Sequence, residues 1–302
     1  MGTPHFAVPS LQILLEAGYV IPCVITAPDT LGGRGMKQSI ISPVKSFALE
    51  KGLEILQPRN LKSGVFLNAL QSFHADLQVV VAFRMLPEVV WKMPRLGTIN
   101  LHGSLLPAYR GAAPIQWAII DGQRETGLTT FMLRQAIDTG DIIEQRPIPI
   151  LDEDNASTLH DRMAIAGAGL ILGSVDLLNS GEVNFRPQNE DFSSHAPKIQ
   201  HSDARINWVV RPVEINNLIR GMSPFPGAWT VLDGSELKII KARVHSERQD
   251  KHPGQLSLQD KKLVVQANGG ELELMEVQMA GKRRMNTGDF LRGYSIRDWS
   301  VT

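Results

Sequence analysis

Along this chain, short apolar runs alternate with segments whose apolar positions recur every three or four residues, the pattern of strands wound between helices. From Val8 to Gly18 the residues Leu11, Leu14 and Leu15 share one helical face, and a glycine ends the run. Val20 to Ile25 predicts a strand. Thr26 to Ser42 is rich in glycine, proline and polar residues and long for a plain connection, so it reads as either a working loop or a floppy one. Pro43 to Lys51 predicts a helix with Ser42 as N-cap and proline at its first position. The near-continuous apolar run Leu77 to Phe83 suits a strand covered on both faces. Pro87 to Lys92 predicts a helical turn, Thr98 to Leu101 a strand and Ala113 to Ile120 a helix. Gly127 to Leu133 and Ile142 to Ile150 predict two more strands, and Thr158 to Asn179 a long amphipathic helix. This alternation predicts an α/β fold, a doubly wound parallel sheet with an antiparallel extension.

Pro187 to Ala204 is polar and irregular, with two prolines and paired serines, a linker signature. Beyond it the texture changes. Val213 to Arg220 predicts a helix. Ala228 to Leu232, Leu237 to Arg243, Gly254 to Leu258, Leu263 to Ala267 and Glu271 to Val277 then predict short alternating strands split by glycines and charged turns. Such strands suggest a small barrel. The expected division is residues 1–188 for the first domain, 189–205 for a linker and 206–302 for the second domain.

Composition narrows the compartment more than the function. With 302 residues, 43% of them hydrophobic, the chain can bury a core in each of two domains. Its one cysteine, Cys23, lies in an apolar run, which excludes an intrachain disulfide and a cysteine-built zinc site. The amino terminus lacks the basic-then-apolar pattern of a secretory signal, and no apolar stretch approaches the roughly 18 residues a bilayer span needs. The expectation is a cytoplasmic monomer without a membrane role. Lys plus Arg equals Asp plus Glu at 31 each, so overall charge points to no polyanionic partner. Locally, Arg34, Lys37 and Lys45 lie between Asp29 and Glu50 with no acid among them, and Lys282-Arg283-Arg284 is a compact basic triplet.

The candidate chemistry gathers around one strand end. Asn100 and His102, two apart, project from the same side near the carboxyl end of their strand, where open α/β sheets bind ligands. An Asn amide donates a fixed hydrogen bond to a developing oxyanion and a protonated His adds a charged one, such donors supplying about 3 kcal/mol each. The acidic turn Asp138-Thr139-Gly140-Asp141 would bring Asp138 to hold the imidazole and favour its charged form. Amide, imidazole and carboxylate together suit acyl transfer without a covalent intermediate and without a metal. Ser104 stands nearby, but outside a Gly-x-Ser-x-Gly turn it is a poor nucleophile.

The run from Asn100 to Gly111, with Asp138-Thr139-Gly140, resembles the signature of the formyltetrahydrofolate-dependent formyltransferases, and among them those that act on an aminoacyl-tRNA. Supporting stretches are Gly2-Thr3-Pro4 with Phe6, Gly33-Arg34-Gly35, Ser42-Pro43-Val44-Lys45, Val79 to Pro87, Gly111-Ala112-Ala113-Pro114-Ile115 and Ala204-Arg205-Ile206-Asn207-Trp208. The resemblance implies a Rossmann-like formyltransferase domain followed by a small OB-like β-barrel domain. It implies transfer of the formyl group of 10-formyltetrahydrofolate to the α-amino group of a methionine esterified to initiator tRNA, with Asn100, His102 and Asp138 catalytic. By the same resemblance Ser104, Leu105, Leu106 and Pro107 cradle the folate, and Val81 to Pro87 forms a wall around its pterin, read by backbone groups. Arg34 approaches the acceptor end of the tRNA, and Lys198, with the Lys282-Arg283-Arg284 triplet, contacts its phosphates.

One feature departs from that family. Its members carry an apolar strand before Gly-Thr-Pro, whereas here Met1 directly precedes Gly2; loss of this central strand would leave backbone groups unpaired in the core, and the expectation is an initiation site upstream. Three other functions remain open on the residues alone. Formyl transfer to a small amine would need neither the Arg34 loop nor the second domain, and an inactive RNA-binding module would not need Asn100, His102 and Asp138. A dinucleotide-dependent oxidoreductase would need a Gly-x-Gly-x-x-Gly turn that the chain lacks.

Overall fold

The apolar runs of the amino-terminal half become strands only where a partner backbone lies alongside. The computed structural model describes residues 1–32, 38–246, 251–294 and 300–302. Their order begins α1 (Val8–Glu16), β1 (Val24–Ile25), β2 (Thr30–Gly32), β3 (Gln38–Ile40), α2 (Pro43–Glu50), β4 (Ile55–Leu56), α3 (Gly64–Ser72), β5 (Gln78–Val81), α4 (Glu88–Trp91), β6 (Thr98–His102) and β7 (Arg110–Gly111). It continues α5 (Pro114–Ile120), β8 (Glu125–Met132), β9 (Ile142–Pro149), α6 (Ala156–Ser180) and β10 (His195–Ala196). One compact unit comprises Met1–Gly111, Thr126–Ile148 and His160–His195; the other comprises Ala112–Glu125, Pro149–Leu159 and Ala196–Thr302.

In the first unit the main sheet runs β5-β6-β8-β9, with β5 and β6 parallel and β6 and β8 antiparallel. Ile99, Leu101 and Phe131 are buried in it, and Met163 and Ile171 from α6 are fully covered. Gly167 lets the helix approach: a Cβ there would lie 2.6 Å from Leu101 Cδ2. By length and composition α6 could cross a bilayer, contrary to the sequence expectation, and half of its apolar window is buried inside the protein. Ser42 caps α2 as expected, its Oγ accepting from the Lys45 amide at 3.1 Å.

β1 and β4 form a separate parallel pair. Among the described residues, Met1 and Gly2 alone bridge this pair and β5. The Gly2 amide donates to Ile25 O at 3.0 Å, the Val81 amide donates to Met1 O at 2.9 Å, and the α-amino group donates to Val79 O at 2.7 Å. The expected strand Val20 to Ile25 is confined to Val24–Ile25, and Val20 is 88% exposed; among the described residues, no backbone pairs with residues 20–23. A cavity of about 400 Å³ opens beside them, lined by Val20, Ile21, Pro22, Cys23 and Leu77 among others. Burial pushes the Cys23 thiol up to about 11, the behaviour of a small core residue.

The second unit adds α7 (Pro212–Met222), β11 (Ala228–Leu232), β12 (Ser235–Ser246), β13 (Leu256–Gln259), β14 (Lys262–Ala267), β15 (Gly270–Met279), β16 (Met285–Asn286) and α8 (Thr287–Gly293). Its strands form an antiparallel sheet in the order β11-β12-β15-β14-β13, with β16 on β15. Leu237, Ile239, Leu272, Leu274 and Val277 alternate into a core closed by Ile215 and Ile219 of α7. Register shifts along β12 bend the sheet. β11 and β13 do not pair, so the sheet is not a closed barrel. Residues at the carboxyl end reach both sides of that gap: the Thr302 amide donates to Val231 O at 3.1 Å and the Val301 amide to Gly254 O at 2.8 Å.

Burial lowers the Met1 α-amino group from 8.0 to about 6. The unfolded chain therefore binds this proton at higher pH than the folded one, so the associated stability is present above pH 8 and lost as pH falls through about 6. Urea unfolding of the unmodified chain should show stability rising across this window relative to an N-acetylated chain. Parallel pH curves for the two would contradict the burial.

Candidate active site

β6 sets the geometry. Asn100 and His102 share one side of the strand; His102 is buried and Asn100 half-buried. The Asn100 amide makes no hydrogen bond to another described residue, leaving its donors free. Tyr109 O lies 2.9 Å from His102 Nε2. A carbonyl only accepts, so Nε2 carries a proton, and in the neutral ring the lone pair sits on Nδ1. Nδ1 in turn faces Asp138 Oδ2 at 3.7 Å. A proton on that edge arrives only with the positive charge of the ring.

Asp138 is held mainly by backbone. Its Oδ2 accepts from the Gly111 amide at 2.9 Å, so the carboxylate sits beside the ring without a direct hydrogen bond to it. Tyr109 (φ +58) and Asp138 (φ +54) both occupy the left-handed region, which costs side-chain-bearing residues about 1 kcal/mol or more. The turn after Asp138 also requires Gly140, where a Cβ would lie 1.6 Å from Met132 O. Arg110, between the two holding residues, is buried and pairs with Glu190 at 2.7 Å; this guanidinium holds the Glu190 carboxyl below its usual range.

The segment Ser104 to Pro107 is braced from behind. Thr129 Oγ1, fully buried on β8, donates to Ser104 O at 2.7 Å and accepts from the Leu106 amide at 3.0 Å. Gln145 Nε2 donates to Leu106 O at 2.8 Å. The Ser104 hydroxyl donates to Ala108 O at 2.5 Å, and Ser104 and Leu106 are buried, so they shape the loop while Leu105 and Pro107 remain partly exposed. At the end of β5, Ala82 (φ +48) turns the chain, and Met85 is 70% exposed. Phe83, Arg84 and Met85 use no main-chain group in a backbone hydrogen bond among the described residues. The Arg84 guanidinium is spent on the carbonyls of Pro58 and Arg59. Asn100, His102, residues 104–107 and Asp138 all belong to the first unit, whereas Lys198 is exposed in the second. Arg34 lies outside the described residues.

The sequence matches the formyl transferase family over residues 2–174 and the formyl transferase C-terminal domain over residues 198–295. The chain belongs to the formyl transferase family. It is 48% identical to a methionyl-tRNA formyltransferase of Parabacteroides distasonis, over 100% of this chain and 97% of that one. It is 42% identical to the methionyl-tRNA formyltransferase of Caldanaerobacter subterraneus, over 100% and 98%. Among solved structures, the N-formyltransferase from Helicobacter canadensis in complex with folinic acid and dTDP-3-aminofucose shares the fold, with TM-score 0.68 and 20% identity over 92% of this chain and 97% of that one.

In this formyl transferase the supports of the site escaped sequence reading. The Tyr109 carbonyl and the Gly111 amide are backbone groups with no residue signal, and Thr129 showed only as a threonine in an apolar strand. Thr129→Val would strip both partners from the loop, leaving a buried amide and a buried carbonyl unsatisfied. Urea denaturation should show a loss of about 2–4 kcal/mol. A loss under about 0.5 kcal/mol, the range of neutral surface changes, would contradict the bracing.

Proposed function

We propose that this chain transfers the formyl group of 10-formyltetrahydrofolate to the α-amino group of methionyl-initiator tRNA, giving N-formylmethionyl-tRNA for translation initiation. The observation that carries the chemistry is the unpartnered Asn100 amide on the same strand face as a histidine whose Nε2 edge is already committed to Tyr109. That leaves the Nδ1 edge, beside Asp138, to meet a reacting group. Full-length relatives at 42–48% identity carry the acceptor assignment, since sugar N-formyltransferases share the fold at only about 20% identity.

The α-amino nitrogen attacks the formyl carbon, and the carbonyl electron pair moves onto oxygen. The Asn100 amide and the Nδ1–H of a charged His102 donate to that oxyanion, while Asp138 balances the ring's charge. The C–N10 bond then breaks, and the proton lost by the amine is delivered to N10, with Asp138 placed to relay it. Much of the remaining acceleration comes from holding two bound reactants together. The residues fit the folate cosubstrate. Leu105 and Pro107 offer a partly exposed apolar ledge, and the unused main-chain groups of residues 83–85, beside exposed Met85, suit the hydrogen-bonding edge of a pterin.

Residues 1–188 would carry catalysis, 189–205 link, and 206–302 form an OB-like domain that binds tRNA. The bridging of the β11–β13 gap by residues 301–302 supports the barrel reading. Arg34 would engage the acceptor end and Lys198 a phosphate. The protein would act as a cytoplasmic monomer.

A formyl-transfer assay with 10-formyltetrahydrofolate should show preference for charged initiator tRNA over charged elongator methionine tRNA and over a dTDP-amino sugar. His102→Ala and Asp138→Ala should each lower kcat by about 100-fold or more with tRNA binding retained, and Arg34→Ala should chiefly raise KM for the tRNA. Equal rates on a small amine would overturn the acceptor assignment.

A further inference from the structure

We propose that Gln188 is a positioning residue for Asp138, an inference that rests on the acyl-transfer role given to Asp138 above. The Gln188 Nε2 donates to Asp138 O at 2.8 Å and to Gly140 O at 2.8 Å. Its Oε1 accepts from Arg110 Nε at 3.1 Å and from Arg110 Nη2 at 2.6 Å. Both amide hydrogens and both oxygen lone pairs are thus engaged.

What this amide joins is specific to the site. On one side are the two carbonyls that flank the peptide steps of the Asp138 turn, a turn that holds a non-glycine residue at φ +54. On the other side is Arg110, whose chain neighbours are the two residues that hold the reactive groups: Tyr109 O faces His102 Nε2 and the Gly111 amide donates to Asp138. Arg110 is itself fixed by Glu190, with Nη1 to Oε2 at 2.7 Å and Nη2 to Oε1 at 2.8 Å. A single side chain therefore sets the turn carrying the carboxylate against the strand that orients the imidazole. Only an uncharged amide satisfies this position: a carboxylate would turn an acceptor towards two carbonyl oxygens, and a cation would face Arg110. The pairing in question is a 3.7 Å approach between His102 Nδ1 and Asp138 Oδ2, a distance at which small displacements of the turn decide whether a proton on Nδ1 is met.

The test is a double-mutant cycle on kcat, measured with saturating 10-formyltetrahydrofolate and charged initiator tRNA. Gln188→Ala should lower kcat about tenfold when Asp138 is present and less than about twofold in an Asp138→Asn background, because the residue acts through that carboxylate. Gln188→Glu, of equal size, should be impaired in the same background-dependent way and carries the test if the alanine variant does not fold. Equal losses in both backgrounds would mark a general structural role and overturn the proposal, as would wild-type kcat for both Gln188 variants. Wild-type kcat for Asp138→Asn alone would instead remove the role of Asp138, and no formyl transfer by the unmutated chain would remove the functional reading; either result also defeats the proposal and is recognisable as its own failure.

Discussion

The hydrogen bond from His102 Nε2 to Tyr109 O is the constraint on which the site depends. It fixes which nitrogen of the ring holds a proton, and so which edge is left to do chemistry. With Nε2 spent, Nδ1 faces Asp138 Oδ2 at 3.7 Å, and a proton on that edge comes only with the ring's positive charge. The arrangement thus ties the availability of a charged donor to the carboxylate that compensates it. Asn100, one alternation back along the strand, supplies a neutral donor that needs no protonation event.

Holding that carbonyl in place takes strain, and the fold distributes it. Ala82 just after β5, Tyr109 just before β7 and Asp138 between β8 and β9 all adopt positive φ. Two of them are held from outside their own turns: the Tyr109 amide donates to Ser194 Oγ at 2.8 Å and the Gly111 amide donates to Asp138 Oδ2 at 2.9 Å, while the buried Arg110 guanidinium between these two residues pairs with the exposed Glu190. The sheet behind these turns is continuous from β5 to β9, and the bridge between Gly2 and Val81 lies on the other side of β5 from β6.

The grouping of the candidate side chains was legible in the sequence because period-two spacing on a strand puts Asn100 and His102 on one face; the acidic turn then brings Asp138 to 3.7 Å from the ring. The strands of the second domain were legible for a similar reason: β11 begins and ends where alternation and glycines put it. The supports were not legible. A backbone carbonyl has no letter, Thr129 looks like any β-branched strand residue, and Gln188 falls in a polar stretch that reads as linker. Nor could periodicity show that Val20 to Cys23 would stay irregular, since strand formation there depends on a neighbouring backbone rather than on the residues themselves.

Polarisation of the transferred group is read from the infrared stretch of a 13C-labelled formyl carbonyl, on a stable analogue of the folate donor, bound to the protein. If Asn100 and the His102 Nδ1 edge converge on the formyl oxygen, the stretch moves to lower frequency than in water, and the shift shrinks in Asn100→Ala and in His102→Ala. A carbonyl that absorbs at its aqueous frequency in the complex, or one whose shift survives both substitutions, would mean that Asn100 and His102 do not meet the formyl oxygen.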